Sequence, residues 1–186
     1  MKVIPLHQEE KNLIEQAVNQ NRFAQNQLFA KFSPKMLGVC RQYIKDLQLA
    51  EDVMISAFMK VFVSLNQFEH KGSFEGWIRR IMINECISFI RVQKQVKFMD
   101  EETFFEERFN DIESKFSTDE IQFLIDNLPD GYKMVFNLYV IEGYKHQEIA
   151  ELLNISEGTS KSQLSHARKL LQNQILKLKN YENGTE

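Results

Sequence analysis

Residues 157–171 carry hydroxyl, amide, imidazole and cationic side chains along one side of a predicted helix. At about 100° per residue, the outward side and its flanks hold Thr159, Lys161, Ser162, Gln163, Ser165, His166, Arg168 and Lys169. Such polar groups can hydrogen-bond to base edges in the major groove, and the cations can contact phosphates. The stretch 155–180 holds five Lys and Arg against one Glu, although the whole chain has a net charge of −3. The pattern favours duplex DNA binding; the alternative is the solvated face of an ordinary helical hairpin.

Two helices joined by a tight turn, over residues 143–179, would position these side chains. In the first helix Ile149, Ala150 and Leu153 form a narrow apolar stripe. Asn154 stands where the turn needs a left-handed residue, which Asn tolerates better than most, and Ser156 suits the N-cap of the next helix. The second helix has an apolar inner face formed by Leu164, Ala167, Leu171, Ile175 and Leu178. The segment is therefore predicted to be a helix-turn-helix.

A second candidate site lies on a long predicted helix, residues 74–94, for which Ser73 is the expected cap. Most sides of this helix are apolar, but one stripe holds Trp77, Arg80, Asn84, Ser88 and Arg91. An aromatic ring followed by cations along one line suits single-stranded DNA, because bases stack on the ring and cations follow the phosphates. The alternative is a core tryptophan beside a solvated basic edge.

A third candidate surface is apolar. The outer face of the predicted helix 50–65 carries Ile55, Met59 and Phe62, with Glu51 and Asp52 at its N-terminal end. A surface helix is usually polar on that side. The helix is therefore either buried on all sides or presents an apolar patch with an acidic rim to a partner protein, and the pattern leaves both open.

The composition excludes several other classes of function. The chain has 186 residues, of which 43% are hydrophobic and 26% charged, so one or two globular domains are expected; 7 Gly, 3 Pro and dominant helical patterns indicate an all-α fold. We expect a cytoplasmic protein without membrane insertion, because no apolar run reaches about 18 residues and no signal peptide is recognisable. Cys40 and Cys86 are expected to be buried free thiols. No catalytic set or metal-ligand spacing is recognisable, so we expect no enzymatic activity and no cofactor.

Further signals mark where the other helices begin. Helices are predicted over residues 8–20, 22–32, 118–127 and 131–141. Ser33-Pro34 is expected to start a new helix, with Ser as N-cap and Pro in the first turn. Asp46 is expected to break or cap a helix, and Ser117 with Glu120 forms a capping-box pattern.

An acidic stretch separates two blocks of the chain. Residues 96–120 hold 9 Asp and Glu against 3 Lys and Arg, whereas residues 1–95 hold 13 Lys and Arg against 9 Asp and Glu. Residues 96–117 are predicted to be a linker, either a solvated tether or an acidic-aromatic segment that folds onto a basic partner. The predicted domains are 1–95 and 118–180, followed by a tail, 181–186.

Three stretches resemble a known family. AEDVMISAFMKVF (50–62), GSFEGWIRRIMINECISFIR (72–91) and LPDGYKMVFNLYVIEGYKHQEIAELLNISEGTSKSQLSHARKLL (128–171) look like regions 2.2, 2.3–2.4 and 4 of extracytoplasmic-function (group 4) sigma factors. These are small bacterial promoter-recognition subunits of RNA polymerase, and the chain looks most like the variants common in the Bacteroidetes. The resemblance covers nearly the whole chain, and the ordered pair of regions is more specific than either alone.

The resemblance implies a two-domain sigma factor whose partners are core RNA polymerase and promoter DNA. The polymerase clamp would be bound by Glu51, Asp52, Ile55, Met59 and Phe62. The −10 element would be opened and held by Phe68, Lys71, Ser73, Trp77, Arg80, Asn84 and Arg91. The helix 157–171 would read the −35 duplex. An anti-sigma factor, often linked to a membrane, would cover the same surfaces.

The sequence departs from the family pattern at several of these positions. Ile55 stands where many members have Gln, which makes the clamp contact more apolar. Asn154 replaces the turn glycine, and Ser160 replaces a branched apolar residue that normally packs into the hairpin. Gln163 and His166 stand where Arg is frequent, which lowers the charge offered to phosphates.

Two other functions stay open on the residues alone. One is a stand-alone helix-turn-helix regulator whose N-terminal domain binds a partner, and the other is a helical adaptor that binds only protein. The apolar face of 50–65 and the stripe from Trp77 to Arg91 separate a sigma factor from a simple regulator, which needs neither. Binding to duplex DNA separates the regulator from the adaptor.

Overall fold

The fold is all-α, as the sequence predicts, in a computed structural model that describes residues 6–94 and 117–182. The helices are α1 (Leu6–Val18), α2 (Arg22–Tyr43), α3 (Leu47–Val63), α4 (Phe74–Lys94), α5 (Thr118–Asp126), α6 (Asp130–Phe136), α7 (His146–Leu153) and α8 (Glu157–Glu182). A 3₁₀ turn, Leu65–Gln67, follows α3, and a π-helical turn, Asn137–Ile141, continues α6. Within the described ranges no helix is long and apolar enough to cross a membrane.

Two compact units make up the chain, one within residues 1–95 and the other within residues 96–186. The linker predicted over 96–117 lies outside the described residues except for Ser117. The first unit is a bundle of α1 to α4, and the second packs α8 against α5, α6 and α7.

Polar side chains cap α2, α3 and α4 of the first unit, and two of these caps, Asp46 and Ser73, were predicted from the sequence. The Asp46 side chain accepts a hydrogen bond from the Leu49 N–H at 2.9 Å, which confirms Asp46 as the cap of α3. The Ser73 hydroxyl oxygen accepts one from the Gly76 N–H at 3.1 Å and so caps α4. Asn21 does the same for α2, accepting from the N–H groups of Phe23 and Ala24. Each cap satisfies backbone donors that have no partner within the helix.

The helix break expected at Ser33-Pro34 is wrong, because α2 runs without interruption from Arg22 to Tyr43 with Pro34 inside it. Proline removes the hydrogen bond to the carbonyl of the residue four positions earlier, here Ala30. Both Ala30 and Pro34 lie on the exposed side of α2, where solvent can satisfy that carbonyl. On the opposite side, Phe32 and Met36 are buried and hold the helix to the bundle.

Aromatic rings and thiols fill the core of the first unit. Phe58 of α3 is buried and meets Phe29 edge-to-face at 4.8 Å between ring centres. Cys40 and Cys86 are buried and free of disulfides, as predicted. A hydrogen bond with Cys40, and then burial, raise the pKa of the Cys86 thiol above its ordinary value. The Cys86 thiol is therefore neutral where α2 packs against α4.

The second unit is built around the predicted helix-turn-helix. Ser117 and Glu120 form the expected capping box at the start of α5. Asn154 ends α7 in the left-handed conformation, with φ 56° and ψ 50°. Helix α8 continues to Glu182, two residues beyond the predicted domain end at 180.

Replacing Phe58 with Ala should destabilise the first unit by about 3–5 kcal/mol, because it removes a buried ring from a packed aromatic core. Trp77 is the chain's single tryptophan and lies in this unit, so its fluorescence during urea unfolding reports on this unit alone. The matched control is Phe23→Ala, which truncates an exposed ring of α2 and should change stability by less than about 0.5 kcal/mol. Equal effects of the two substitutions would contradict the assigned core.

Candidate nucleic-acid interface

Hydroxyl groups stabilise the first turn of α8. The Ser156 hydroxyl oxygen accepts a hydrogen bond from the Thr159 N–H at 2.9 Å and lies 2.8 Å from the Thr159 hydroxyl. The Ser162 hydroxyl donates to the Thr159 carbonyl at 3.0 Å. Ser156 is therefore the N-cap that the sequence predicts. Because Thr159 and Ser162 hydrogen-bond within the helix start, their hydroxyls already have partners before any DNA is bound.

Three of the side chains predicted to face outward do not. Thr159, Ser162 and Gln163 are only 3%, 8% and 6% exposed, so the expectation that they form part of an open DNA-facing surface is wrong. Gln163 and Thr159 are four and eight residues before Ala167, which is fully buried, and they extend its stripe along the helix. The buried face of α8 is wider than its apolar pattern suggests, because α6 and α7 both pack against it.

The rest of the predicted set does reach the surface. Lys161 and Lys169 are exposed, and Ser165, His166 and Arg168 are half-buried. These five residues form the α8 surface, and their side chains follow one another on one side of the helix. The Lys161 ammonium lies 2.8 Å from the Glu157 carboxylate, and this hydrogen bond and charge lower the pKa of Glu157. The pair is exposed and so worth little, which leaves Lys161 able to exchange Glu157 for a phosphate.

An aromatic and histidine group beside this surface was not anticipated from the sequence. The His146 ring, at the start of α7, stacks on the Tyr139 ring with 4.5 Å between centres, and its Nδ1 lies 2.9 Å from the Ser160 hydroxyl. The Tyr139 ring also lies 5.8 Å from the Arg168 guanidinium carbon. The one available signal was the polar Ser160 at an expected apolar position, which requires a hydrogen-bond partner when it is buried.

Burial lowers the pKa of His146 below its ordinary value, and the positive charges of Lys161 and Arg168 lower it further, against an opposing effect of Glu157. His146 therefore stays neutral in the folded protein at a pH where a free histidine begins to take up a proton. Its neutral ring can keep the contacts with Tyr139 and Ser160.

In the first unit, α4 presents the predicted stripe. Arg80, Asn84 and Arg91 are exposed, and Trp77 is half-buried. Trp77 stacks on Phe74 at 5.7 Å with 20° between the planes and lies 5.6 Å from the Phe68 ring. One part of the indole is therefore fixed by the core while another part remains at the surface, beside the cations of the same helix.

The loop before α4 has a different arrangement from the one expected. Phe68 is buried and packs edge-to-face on Phe74 at 5.1 Å, so it is wrong to count its ring among the surface groups: it anchors the loop. The Ser73 hydroxyl caps α4, as described above. Lys71 is exposed and lies 2.6 Å from the Glu69 carboxylate. Gly72 has a φ of 92°, a conformation that glycine adopts without strain and that turns the chain into α4.

On α3 the structure decides between the two alternatives in favour of an exposed patch. Ile55, Met59 and Val63 follow at intervals of four residues, and Met59 and Val63 are 67% and 83% exposed. Glu51 and Asp52 are exposed at the N-terminal end. Phe62, which was expected on this face, is half-buried against Phe58. We call Ile55, Met59 and Val63 the α3 patch; it borders a groove of about 490 Å³ that Ile81 and Asn84 of α4 also line.

No group of three His, Cys, Asp or Glu side chains in the described part of the chain could hold a metal ion. The surfaces described above are cationic on α8 and α4 and apolar on α3.

Comparison with known families identifies the class of protein to which the chain belongs. Residues 28–96 match the family model "Sigma-70 region 2", and residues 118–171 match "Sigma-70, region 4". The two stretches lie in separate units of the fold and together make up about two thirds of the chain. The chain therefore belongs to the sigma-70 family.

Curated relatives narrow the class to extracytoplasmic-function RNA polymerase sigma factors, which act in transcription initiation. The chain is 29% identical over 135 residues to RNA polymerase sigma factor SigV of Bacillus subtilis, covering 73% of this chain and 81% of the relative. It is 25% identical over 178 residues to the ECF RNA polymerase sigma-E factor of Haemophilus influenzae, covering 88% and 93%. A stand-alone regulator, the alternative, is not favoured.

Two solved structures share the fold. One is the sigma factor RpoE in complex with the anti-sigma factor NepR from Bartonella quintana, with a TM-score of 0.52 and 20% identity over 80% of this chain and 94% of that one. The other is CnrH in complex with the cytosolic domain of CnrY, with a TM-score of 0.50 and 19% identity over 89% and 96%. The particular resemblance to Bacteroidetes variants stays a prediction.

The second unit should lose stability as the pH falls below about 6.5, the ordinary pKa of histidine. Because the folded pKa of His146 is lowered, the unfolded state takes up the proton first, and stability is fully present only above that pH. Hydrogen exchange of the α7 and α8 amides, measured by mass spectrometry at pH 7 and pH 5 with correction for intrinsic exchange, reports on this unit. In His146→Gln the loss should be smaller. The control His70→Gln lies in the first unit; if both variants keep the full pH effect, His146 is not its source.

Proposed function

We propose that this sigma factor divides promoter recognition between its two units. The first unit, residues 1–95, binds the clamp of core RNA polymerase and holds the opened −10 strand. The second, residues 118–180, reads the −35 duplex. The observation that carries this division is the distribution of surfaces: an apolar patch and a tryptophan-cation stripe lie on the first unit, and a cationic helix-turn-helix lies on the second.

The α3 patch supports polymerase binding. Large side chains at Ile55, Met59 and Val63 are exposed in one line, at a cost in free energy that a partner surface would recover. Glu51 and Asp52 supply a charged rim at one end, which suits an apolar contact whose orientation is fixed by charge.

The stripe on α4 supports a single-stranded ligand. The half-buried Trp77 ring is already fixed by Phe68 and Phe74, so contact with a base costs little ordering of this side chain. Arg80 and Arg91 are exposed on the same helix and can follow the backbone. Asn84 stands between them, where an amide can hydrogen-bond a base edge. Lys71 and Ser73 belong to the preceding loop and lie at the N-terminal end of α4, near Trp77 in the sequence.

The α8 surface supports a duplex ligand. Lys161, Arg168 and Lys169 are the groups suited to phosphates, whereas Ser165 and His166 are suited to base edges. The His166 ring stacks on Tyr132 of α6 with 5.4 Å between centres and 15° between planes, which limits its orientations. Thr159, Ser162 and Gln163 are left out of the proposed contacts because they are buried.

Several accompanying properties follow from this function. The protein acts by binding, adds specificity to a polymerase that performs the chemistry, and is not itself an enzyme. It works in the cytoplasm, where promoter DNA is located. An anti-sigma factor is its proposed regulator, as RpoE was solved with the anti-sigma factor NepR, and the α3 patch is the surface proposed for it to cover.

The test of the proposal is run-off transcription from a genomic fragment library with core polymerase from the same source. We expect new start sites that share two upstream elements. Met59→Asp places a charge in the centre of the α3 patch, so it should weaken binding to core polymerase by about tenfold or more and abolish these starts. The control is Phe23→Asp, on an exposed ring outside the patch, which should change neither measurement.

Failure would take one of two distinct forms. If wild-type protein binds core polymerase but yields no new starts, the assigned DNA contacts are wrong. If it does not bind core polymerase at all, the assignment of the α3 patch is wrong.

The cations of α8 should contribute to DNA affinity in a salt-dependent way. Each phosphate contact releases about one counterion, so Lys161→Ala and Lys169→Ala should each reduce the slope of log K against log salt by about 0.9. The measurement is binding of the holoenzyme to duplex upstream elements between low and moderate salt. Lys11→Ala changes an exposed lysine of α1 and serves as the control. A slope that Lys161→Ala and Lys169→Ala leave unchanged would exclude their phosphate contacts.

A further inference from the structure

Four side chains from three elements of the second unit meet beside the α8 surface. Tyr139 comes from the π-helical turn, His146 from the first residue of α7, and Ser160 and Arg168 from α8. None of the roles assigned so far explains why Tyr139 and His146 lie there. Their contacts form a chain: Ser160 to His146, His146 to Tyr139, and Tyr139 to Arg168.

Ser160 anchors this chain in the interior. Its side chain is fully buried where α7 and α8 cross, and a hydroxyl buried without a partner would destabilise the crossing. His146 Nδ1, at 2.9 Å, provides that partner. The hydrogen bond fixes the imidazole against α8 and so fixes the ring that Tyr139 stacks on.

The π-helical turn brings Tyr139 to this position. Glu142 N–H donates to the Asn137 carbonyl at 3.0 Å, the five-residue spacing of a π-helix, which adds a residue to the turn and rotates the side chains that follow. Leu138 beside it is buried, while Tyr139 is half-buried and stacks its ring on His146. The phenol ring is thereby held in place by the π-helical turn and by its stack on His146.

Arg168 gains most from this arrangement. A guanidinium within about 6 Å of the centre of an aromatic ring is attracted to that ring. The guanidinium carbon of Arg168 lies 5.8 Å from the centre of the Tyr139 ring. A free arginine side chain has many rotamers, and fixing them costs affinity when a ligand binds. Contact with the ring restricts Arg168 before DNA arrives.

We propose that Tyr139 and His146 are positioning residues for DNA binding: Tyr139 holds the Arg168 guanidinium in place for a backbone phosphate of the duplex, and His146, anchored on Ser160, holds Tyr139. This inference rests on the proposed function, in which α8 binds duplex DNA. Neither positioning residue is required to touch DNA itself.

A double-mutant cycle tests the link between Tyr139 and Arg168. The full chain, assembled with core polymerase, is measured by fluorescence anisotropy on a labelled duplex that carries the upstream element found by run-off transcription. Arg168→Ala should weaken binding about tenfold and Tyr139→Leu about threefold, but the double variant should be about as weak as Arg168→Ala alone. Tyr139→Phe keeps the ring and should remain within about twofold of wild type.

The same cycle with His146→Ala in place of Tyr139→Leu tests the second link. We expect the loss on His146→Ala to disappear when Arg168 is already Ala. Val140→Ala is the matched control: it truncates the neighbouring exposed side chain of the same turn, and its effect should be small and additive with Arg168→Ala.

Three outcomes would overturn the inference, and they separate it from the proposed function. If Tyr139→Leu weakens binding equally with and without Arg168, the ring has a structural role only. If Arg168→Ala leaves wild-type affinity unchanged, Arg168 does not contact a phosphate, although α8 still binds DNA. If the wild-type holoenzyme forms but does not bind the duplex, the proposed −35 role fails together with the inference.

Discussion

The second unit depends on a requirement of polar burial: a hydroxyl placed where two helices cross must find a hydrogen-bond partner inside the protein. Ser160 is such a group, and His146 satisfies it. Once this bond exists, the start of α7 is tied to the first turns of α8, and the Asn154 turn between the two helices has only to close the chain. The same bond fixes the His146 ring on which Tyr139 stacks, and Tyr139 in turn contacts Arg168.

A different constraint organises the first unit, where aromatic rings link the surface to the core. Phe32 packs on Phe74, Phe74 on Phe68, and both Phe68 and Phe74 on Trp77. The indole therefore reaches the surface on a rigid support rather than on a mobile loop, and preorganised groups bind with less loss of entropy. The α3 patch differs from the indole, because its apolar side chains are largely exposed. Met59 and Val63 are exposed because the neighbouring helices leave that side of α3 uncovered, and exposed apolar side chains in one line are typical of a partner-binding surface.

The sequence was sufficient to predict the all-α fold, the caps at Asp46, Ser73, Ser117 and Ser156, and the left-handed turn at Asn154, because each rests on local chemistry. Prediction from the sequence failed where tertiary packing determines the length of a helix or the burial of a side chain. Pro34 would end a solvated helix, but packing of the buried face of α2 keeps the helix continuous across Pro34. Periodicity placed Thr159, Ser162 and Gln163 at the surface, although the neighbouring elements bury them. The contacts of Tyr139 and His146 with Ser160 and Arg168 join three separate elements, so apart from the polar Ser160 no local pattern indicates them.

These burials bear on how the helix-turn-helix distinguishes one duplex from another. Discrimination between base pairs comes from side chains that reach base edges, whereas phosphate contacts add affinity without sequence information. With Thr159, Ser162 and Gln163 buried, the α8 surface keeps three cations and only two polar groups suited to bases, Ser165 and His166. His166 is further restricted by its stack on Tyr132. Because few of these side chains can contact base edges, this unit alone should discriminate only modestly between DNA sequences. Under the proposed function, stringent promoter choice then requires the proposed −10 contacts of the first unit to act in the same complex.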